Sequence, residues 1–246
     1  MGEHLTESLK FADIPLPFLD KTIQIFGVEM RATLSETVIV SWVVMAILIA
    51  ASLLMTRNLK EVPRGGQAVL EGMIEFLNKF SRDYFGPRAR VYGPYIGTIF
   101  LFLFLANIIP ILSPIAVFGR EPPFTIKPPA RDINLTAAMA LLSIITVLAG
   151  GLRARGFRGW CKNLLHPVPM MLPFNLLEYV IRPTSMCLRL FGNILGGFII
   201  MMLIESVAPI AVPAVISVYF DLLDGLIQAL VFTFLTTLFI SEAIEV

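Results

Sequence analysis

Residues 183–204 read PTSMCLRLFGNILGGFIIMMLI, and the single charge in these 22 residues is Arg189. A run this long and apolar reads as a membrane-spanning helix, since about 20 residues cross a hydrocarbon core roughly 30 Å thick. A guanidinium near the middle of such a span costs about 2.5–3.5 kcal/mol on insertion scales. Arginine cannot escape that cost by losing its proton, because a guanidinium is effectively always charged. Arg189 therefore marks a functional position, and it needs a partner.

Composition extends the reading to the whole chain. Of 246 residues, 57% are hydrophobic and 15% charged, and mean hydropathy is +0.81. A soluble domain carries about 25% charged residues, so the excess apolar surface implies a polytopic membrane protein forming one integral unit. Cys161 and Cys187 lie far apart and have no metal-type spacing, which argues against a disulfide framework or a metal site. The first 36 residues lack the basic-then-apolar order of a secretory leader.

Five spans follow, and the fold class is all-α. Residues 38–56 form the first. Residues 66–85 set Val69, Met73, Phe76, Leu77 and Phe80 against Glu71, Glu75, Lys79 and Arg82. That spacing predicts an amphipathic helix on the membrane surface; a soluble hairpin on the headgroups is the alternative. Residues 94–118 give the second span, with Pro110 and Pro114 kinking its last third, and residues 133–152 give the third. Residues 172–205 and 209–243 give two spans each about 50 Å long as continuous helix, so they must tilt or break.

Lysine and arginine placement sets the orientation. Segment 57–94 carries seven and segment 153–162 carries four, against three in 119–132 and none in 205–213. The positive-inside rule puts the first two segments in the cytoplasm. Segment 1–36 and the N-terminus then lie outside, and the C-terminus inside.

Both long spans carry polar stripes. At about 100° per residue, Glu178, Arg182, Arg189 and Asn193 share one face, with Gly196 among them. Glu205 falls on the opposite side, near the outer end. In the last span Ser217, Asp221, Asp224, Gln228 and Glu242 share a second face about 60° wide. Such stripes turn toward each other or toward water-filled cavities. For Asp221 and Asp224 the reading is an ion pathway. For Gln228 an interhelical hydrogen bond weighs equally, as a helix contact does for Asn107. Glu178 and Arg182, four residues apart, also fit an ordinary ion pair, and Glu242 reads as solvated. No nucleophile–base or metal constellation supports catalysis by the chain itself, and no cofactor or nucleic-acid motif is present.

Leu188-Arg189-Leu190-Phe191-Gly192-Asn193, Ile227-Gln228-Ala229-Leu230-Val231-Phe232 and Asn107-Ile108-Ile109-Pro110 together resemble the subunit a family of the F-type ATP synthase, the stator of its membrane Fo sector. The resemblance implies that Arg189 is the family's essential arginine, facing a ring of c subunits that each carry one embedded carboxylate. It also implies two aqueous half-channels, with Asn193 and Gln228 near the arginine and Glu178 at the cytoplasmic side. Peripheral-stalk b subunits, other Fo and F1 subunits and membrane lipid would be the partners. Many relatives carry a glutamate nine residues after the arginine, where this chain has Phe198. The outer relay would then run through Asp221, helped by Asp224 or Glu205, with Asn107 and Ser217 as possible lining. The rival reading is a self-contained transporter or channel in which Arg189 binds an anionic substrate; it would favour inverted repeats, and the sequence has none.

Overall fold

In the computed structural model, the described residues are 13–14, 22–25, 28–31, 34–57, 63, 65–109, 128–164, 170, 172–207, 216 and 219–245. The side chains of 13–36, 163, 205–207, 220 and 221 are not among those described. Among the described residues six α-helices carry the fold: α1 (Glu36–Thr56), α2 (Gly66–Phe85), α3 (Ala89–Ile108), α4 (Ile133–Leu164), α5 (Leu172–Val207) and α6 (Gly225–Ile244). Five stretches are long and apolar enough to cross a membrane, α2 and α3 counting as one.

The membrane part is all-helical. Ahead of it lie four short strands, β1 (Asp13–Ile14), β2 (Thr22–Ile25), β3 (Val28–Arg31) and β4 (Leu34–Ser35), paired β1 with β4 and β2 with β3. The β2–β3 register sets Ile23 opposite Met30 and Ile25 opposite Val28, with Gln24 opposite Glu29. That period-2 alternation was visible in the residues and is too short to stand out beside the long apolar runs.

Contacts fix the helix directions. Arg88 donates to the Ile244 carbonyl at one end of α3 and α6, and Asn107 donates to the Gly225 carbonyl at the other, so these helices are antiparallel. Ser143 meets Thr236 at 3.0 Å, and a Cβ on Gly150 would meet Ile244, so α4 runs parallel to α6. Trp160 donates to the Tyr179 hydroxyl while Thr136 contacts Cys187, so α5 runs back against α4. Between the helices, Phe100, Leu103, Leu190, Ala229 and Phe232 form one buried cluster, and Ile96, Val147, Ile240 and Ile244 another. Lipid tails are as apolar as these side chains, so close packing and buried hydroxyl bonds hold the helices together.

Helix boundaries differ from the sequence reading in three places. The second span starts as helix at Ala89, with Pro94 inside it; the carbonyl that Pro94 strands is that of Arg90, at an exposed helix end. Residues 110–118 lie outside the described residues. Helix α4 continues beyond residue 152 to Leu164 and turns at Gly156, whose φ of 69° suits glycine. In the last segment Tyr219–Asp224 is π-helical before α6 begins, and such wide turns recur at functional sites. Helix α5 runs through Pro183 unbroken.

The ends of α2 sit near the ends of other helices. Gly66 lies beside the Met55 side chain at the end of α1, and the Tyr84 carbonyl accepts from Ser241 near the end of α6. Leu77 and Phe85 are buried and Met73 and Phe80 half-buried, whereas Val69 and Phe76 of the apolar side are exposed, as are Glu71, Glu75, Lys79 and Arg82. The Arg88 and Arg155 guanidiniums donate to carbonyls at the end of α6, where cations complement the helix dipole.

Candidate functional site

The α5–α6 pair holds most of the polar residues singled out above, in two groups. In the first, the Asn193 amide donates to Asp224 Oδ1 at 2.7 Å and to Gln228 Oε1 at 3.5 Å. Gln228 is buried. Asn107 reaches the same helix end from α3, donating to the Gly225 carbonyl at 3.3 Å, while its buried Oδ1 has no hydrogen-bond partner among the described residues. Glycine at 225 permits this approach: a Cβ there would lie 2.8 Å from the Asn107 Cβ. Asn193, Gln228 and Asn107, from three separate motifs, thus come together with Asp224 and Gly225 at the start of α6.

The second group lies toward the basic end of the bundle. Arg182 binds Glu178 at 2.7 Å and Glu242 at 2.9 Å, and its Cζ stands 4.7 Å from the Phe239 ring centroid. Glu242, read from sequence as solvated, is thereby an ion-pair partner. Two turns of α5 below Arg189, the 60 residues separating Arg182 from Glu242 concealed this.

Arg189 sits between the groups. It is exposed, and no ion pair or hydrogen bond joins it to another described residue. On the helix wheel it lies at the boundary between the polar side turned to α6 and an open side bearing Ile181, Ser185, Leu188, Gly192 and Ile199, all exposed. A Cβ on Gly192 or Gly196 would meet nothing within 4 Å, so the space these glycines leave faces away from the chain's own helices. Within an 18-residue apolar stretch of each, 17% of α5 is buried against 44% of α6. An apolar helix with a polar stripe and so little cover presents a face to something beyond this chain.

The far end of the bundle supplied a residue that sequence reasoning missed. Arg131, in the 3-10 turn Pro129–Arg131, is 4% exposed, and its guanidinium lies 3.7 Å from the Phe198 ring centroid. The sole signal was an arginine next to Asp132 at a helix start. The Asp221 and Glu205 side chains and residue Ser217 lie outside the described residues.

The architecture and site together define a class: a polytopic helical membrane subunit that offers an arginine, unpaired among the described residues, at the edge of an open face beside an amide–carboxylate cluster anchored on the buried Gln228, suited to meeting an ionised group from another subunit. Residues 38–241 match the family model described as ATP synthase A chain. Over 229 residues the chain is 38% identical to the sodium-ion-specific ATP synthase subunit a of Propionigenium modestum, covering 89% of this chain and 79% of that protein. The chain belongs to the ATP synthase A chain family. It is an integral membrane, non-catalytic subunit of the Fo sector that takes part in ion translocation, and the c-ring and other ATP synthase subunits are its partners.

Proposed function

We propose that this chain provides two half-channels and presents Arg189 to the carboxylates of the c-ring, so that ion flow turns the ring and drives ATP synthesis. The observation that carries the reading is Arg189 itself, which stands exposed at the edge of the open face of α5 without a counter-ion among the described residues. A guanidinium in hydrocarbon is stable only with a partner or water, and a passing ring carboxylate supplies one at each step.

The coupling ion enters from outside through the polar cluster of Asp224, Asn193, Gln228 and Asn107, with Asp221 and Glu205 as further acids of this path and Ser217 on its wall. It neutralises a ring carboxylate, which then crosses lipid without charge. After nearly a full turn the ion leaves on the cytoplasmic side near Glu178. Arg189 stabilises the ring site that is ionised at the interface, and its fixed charge repels a cation passing directly between the half-channels. One charge moving through 100 mV releases about 2.3 kcal/mol, comparable to the cost of exposing one such charge. The N-terminus lies outside a bacterial-type plasma membrane and the C-terminus in the cytoplasm, with peripheral-stalk b subunits holding the stator.

The proton is the coupling ion in this reading. Sodium is the second reading, favoured by the sodium-ion-specific relative. ATP-driven acidification of reconstituted vesicles separates the two: sodium-independent acidification supports the proton, and sodium uptake without acidification overturns it. Arg189→Lys replaces the planar fork with a cation that can lose its charge. The variant should lose coupled pumping while ATP hydrolysis continues, and parental pumping by it would remove the role assigned to Arg189.

A further inference from the structure

A cavity of about 180 Å³ opens beside the second polar group, lined by Asn175, Glu178, Tyr179, Arg182 and Glu242. That volume holds several waters. Its rim is firm: Asn175 donates to the Leu164 carbonyl at 2.8 Å and Tyr179 accepts from Trp160 at 3.2 Å, both from α4. The two carboxylates are 56% exposed, whereas the guanidinium between them is only 20% exposed and lies over Phe239. Arg155, the other cation close by, donates to the Glu242 and Glu245 carbonyls.

We infer that Arg182 is a tethered cation filling the seat between Glu178 and Glu242, and that it keeps divalent cations out of the inner vestibule while leaving one net negative charge for the coupling ion. This rests on the proposed exit near Glu178. Arg182 Nη2 lies 2.7 Å from Glu178 and 3.1 Å from Glu242, so the two carboxylates stand within about 6 Å of each other, and with the guanidinium gone a small side-chain rotation brings both onto one metal ion. Hard divalent cations select such oxygen pairs, and the cytoplasmic face is where magnesium is abundant. A guanidinium keeps its charge at any working pH and, being covalently held, cannot be exchanged. Within the cavity lining, two carboxylates and one guanidinium sum to one negative charge, which draws a monovalent cation without holding a divalent one. Glu242 is thereby a second acid of the vestibule, and Arg182 its positioning residue.

The test uses the intact synthase in vesicles with the cytoplasmic face outward. ATP-driven ion uptake is divided by ATP hydrolysis in the same vesicles and followed as free Mg²⁺ rises through the millimolar range, each variant normalised to its own lowest-Mg²⁺ value. Arg182→Gln opens the seat, and its ratio should fall about tenfold, the scale expected from uncancelled charges about 4 Å apart. Arg182→Lys, which keeps a tethered cation, and Arg182→Gln with Glu242→Gln, which removes the pair of carboxylates, should both stay insensitive to Mg²⁺. An insensitive Arg182→Gln, or a double variant as sensitive as the single one, overturns the inference. If Arg182→Gln fails to assemble while the double variant assembles, charge balance is supported; if neither assembles, Arg182 is a structural clamp and the inference falls. Arg189→Lys in the same vesicles reports separately on the underlying reading, whatever the Mg²⁺ response.

Discussion

Gly225→Ala tests whether the Asn107–Gly225 contact sets the register of the entry cluster. The new Cβ would lie 2.8 Å from the Asn107 Cβ, where ordinary contact begins at 3.4 Å. Helices α3 and α6 must then separate by about 0.6 Å or distort, and overpacking of this kind costs about 1–3 kcal/mol. The hydrogen bond from Asn107 to the Gly225 carbonyl is already 3.3 Å long, so that separation takes it out of reach. Asn107 Oδ1 has no hydrogen-bond partner among the described residues, and losing the remaining bond adds about 1–3 kcal/mol for an unpaired buried group. Because Asp224 adjoins Gly225 and Gln228 lies one turn further, the shift also strains their bonds to Asn193. The assay has two parts: heat release of the chain from the detergent-solubilised synthase, and ion uptake per assembled complex. Both should fall. Asn107→Gly removes the opposing Cβ at a cost of about 1 kcal/mol for glycine in a helix, and combined with Gly225→Ala it should recover part of the lost heat stability while ion uptake stays low. Parental behaviour of Gly225→Ala, or a double variant worse than the sum of the singles, would refute the argument.

Two further outcomes follow from the same packing. Asp224→Asn keeps an oxygen that accepts from Asn193 and removes the charge, so uptake per assembled complex should drop at least about tenfold, or 1.4 kcal/mol; undiminished uptake would reduce Asp224 to a helix contact. Ser143→Ala leaves the buried Thr236 hydroxyl without its 3.0 Å partner, costing about 1–3 kcal/mol, whereas Ser143→Ala with Thr236→Val should cost less than the single change. Heat release of the chain from the solubilised complex measures both, and a double variant less stable than the single one would contradict the pairing.

Much of the fold was legible because lipid imposes a local rule. Each spanning segment must satisfy its backbone internally, so length and hydropathy mark the helices. The stripe of Glu178, Arg182, Arg189 and Asn193 was equally legible, since positions on one helix follow from a fixed turn angle. Boundaries were less so. Pro94 sits inside a helix, since the carbonyl it strands lies at an exposed end, and Gly156 lets α4 turn without ending. The π-helical turn Tyr219–Asp224 changes the rotation per residue, so a uniform wheel does not carry through it.

By itself, the sequence determined that this is a five-span helical membrane protein, with one unpairable charge on a long apolar helix and motifs that lead to the ATP synthase A chain family. These are properties of single segments, governed by periodicity and desolvation. Only the tertiary structure decided which charges meet. It made Glu242, solvated as its sequence position suggests, also the second partner of Arg182, set Asn107 against Gly225, and laid Arg131 over Phe198. Each contact depends on the relative rotation and depth of two helices far apart in the chain. An error of about one residue turns a helix by 100° and points a side chain elsewhere, so no single-helix pattern contains the answer. The same packing left Arg189 facing outward, apart from every described carboxylate of its own chain.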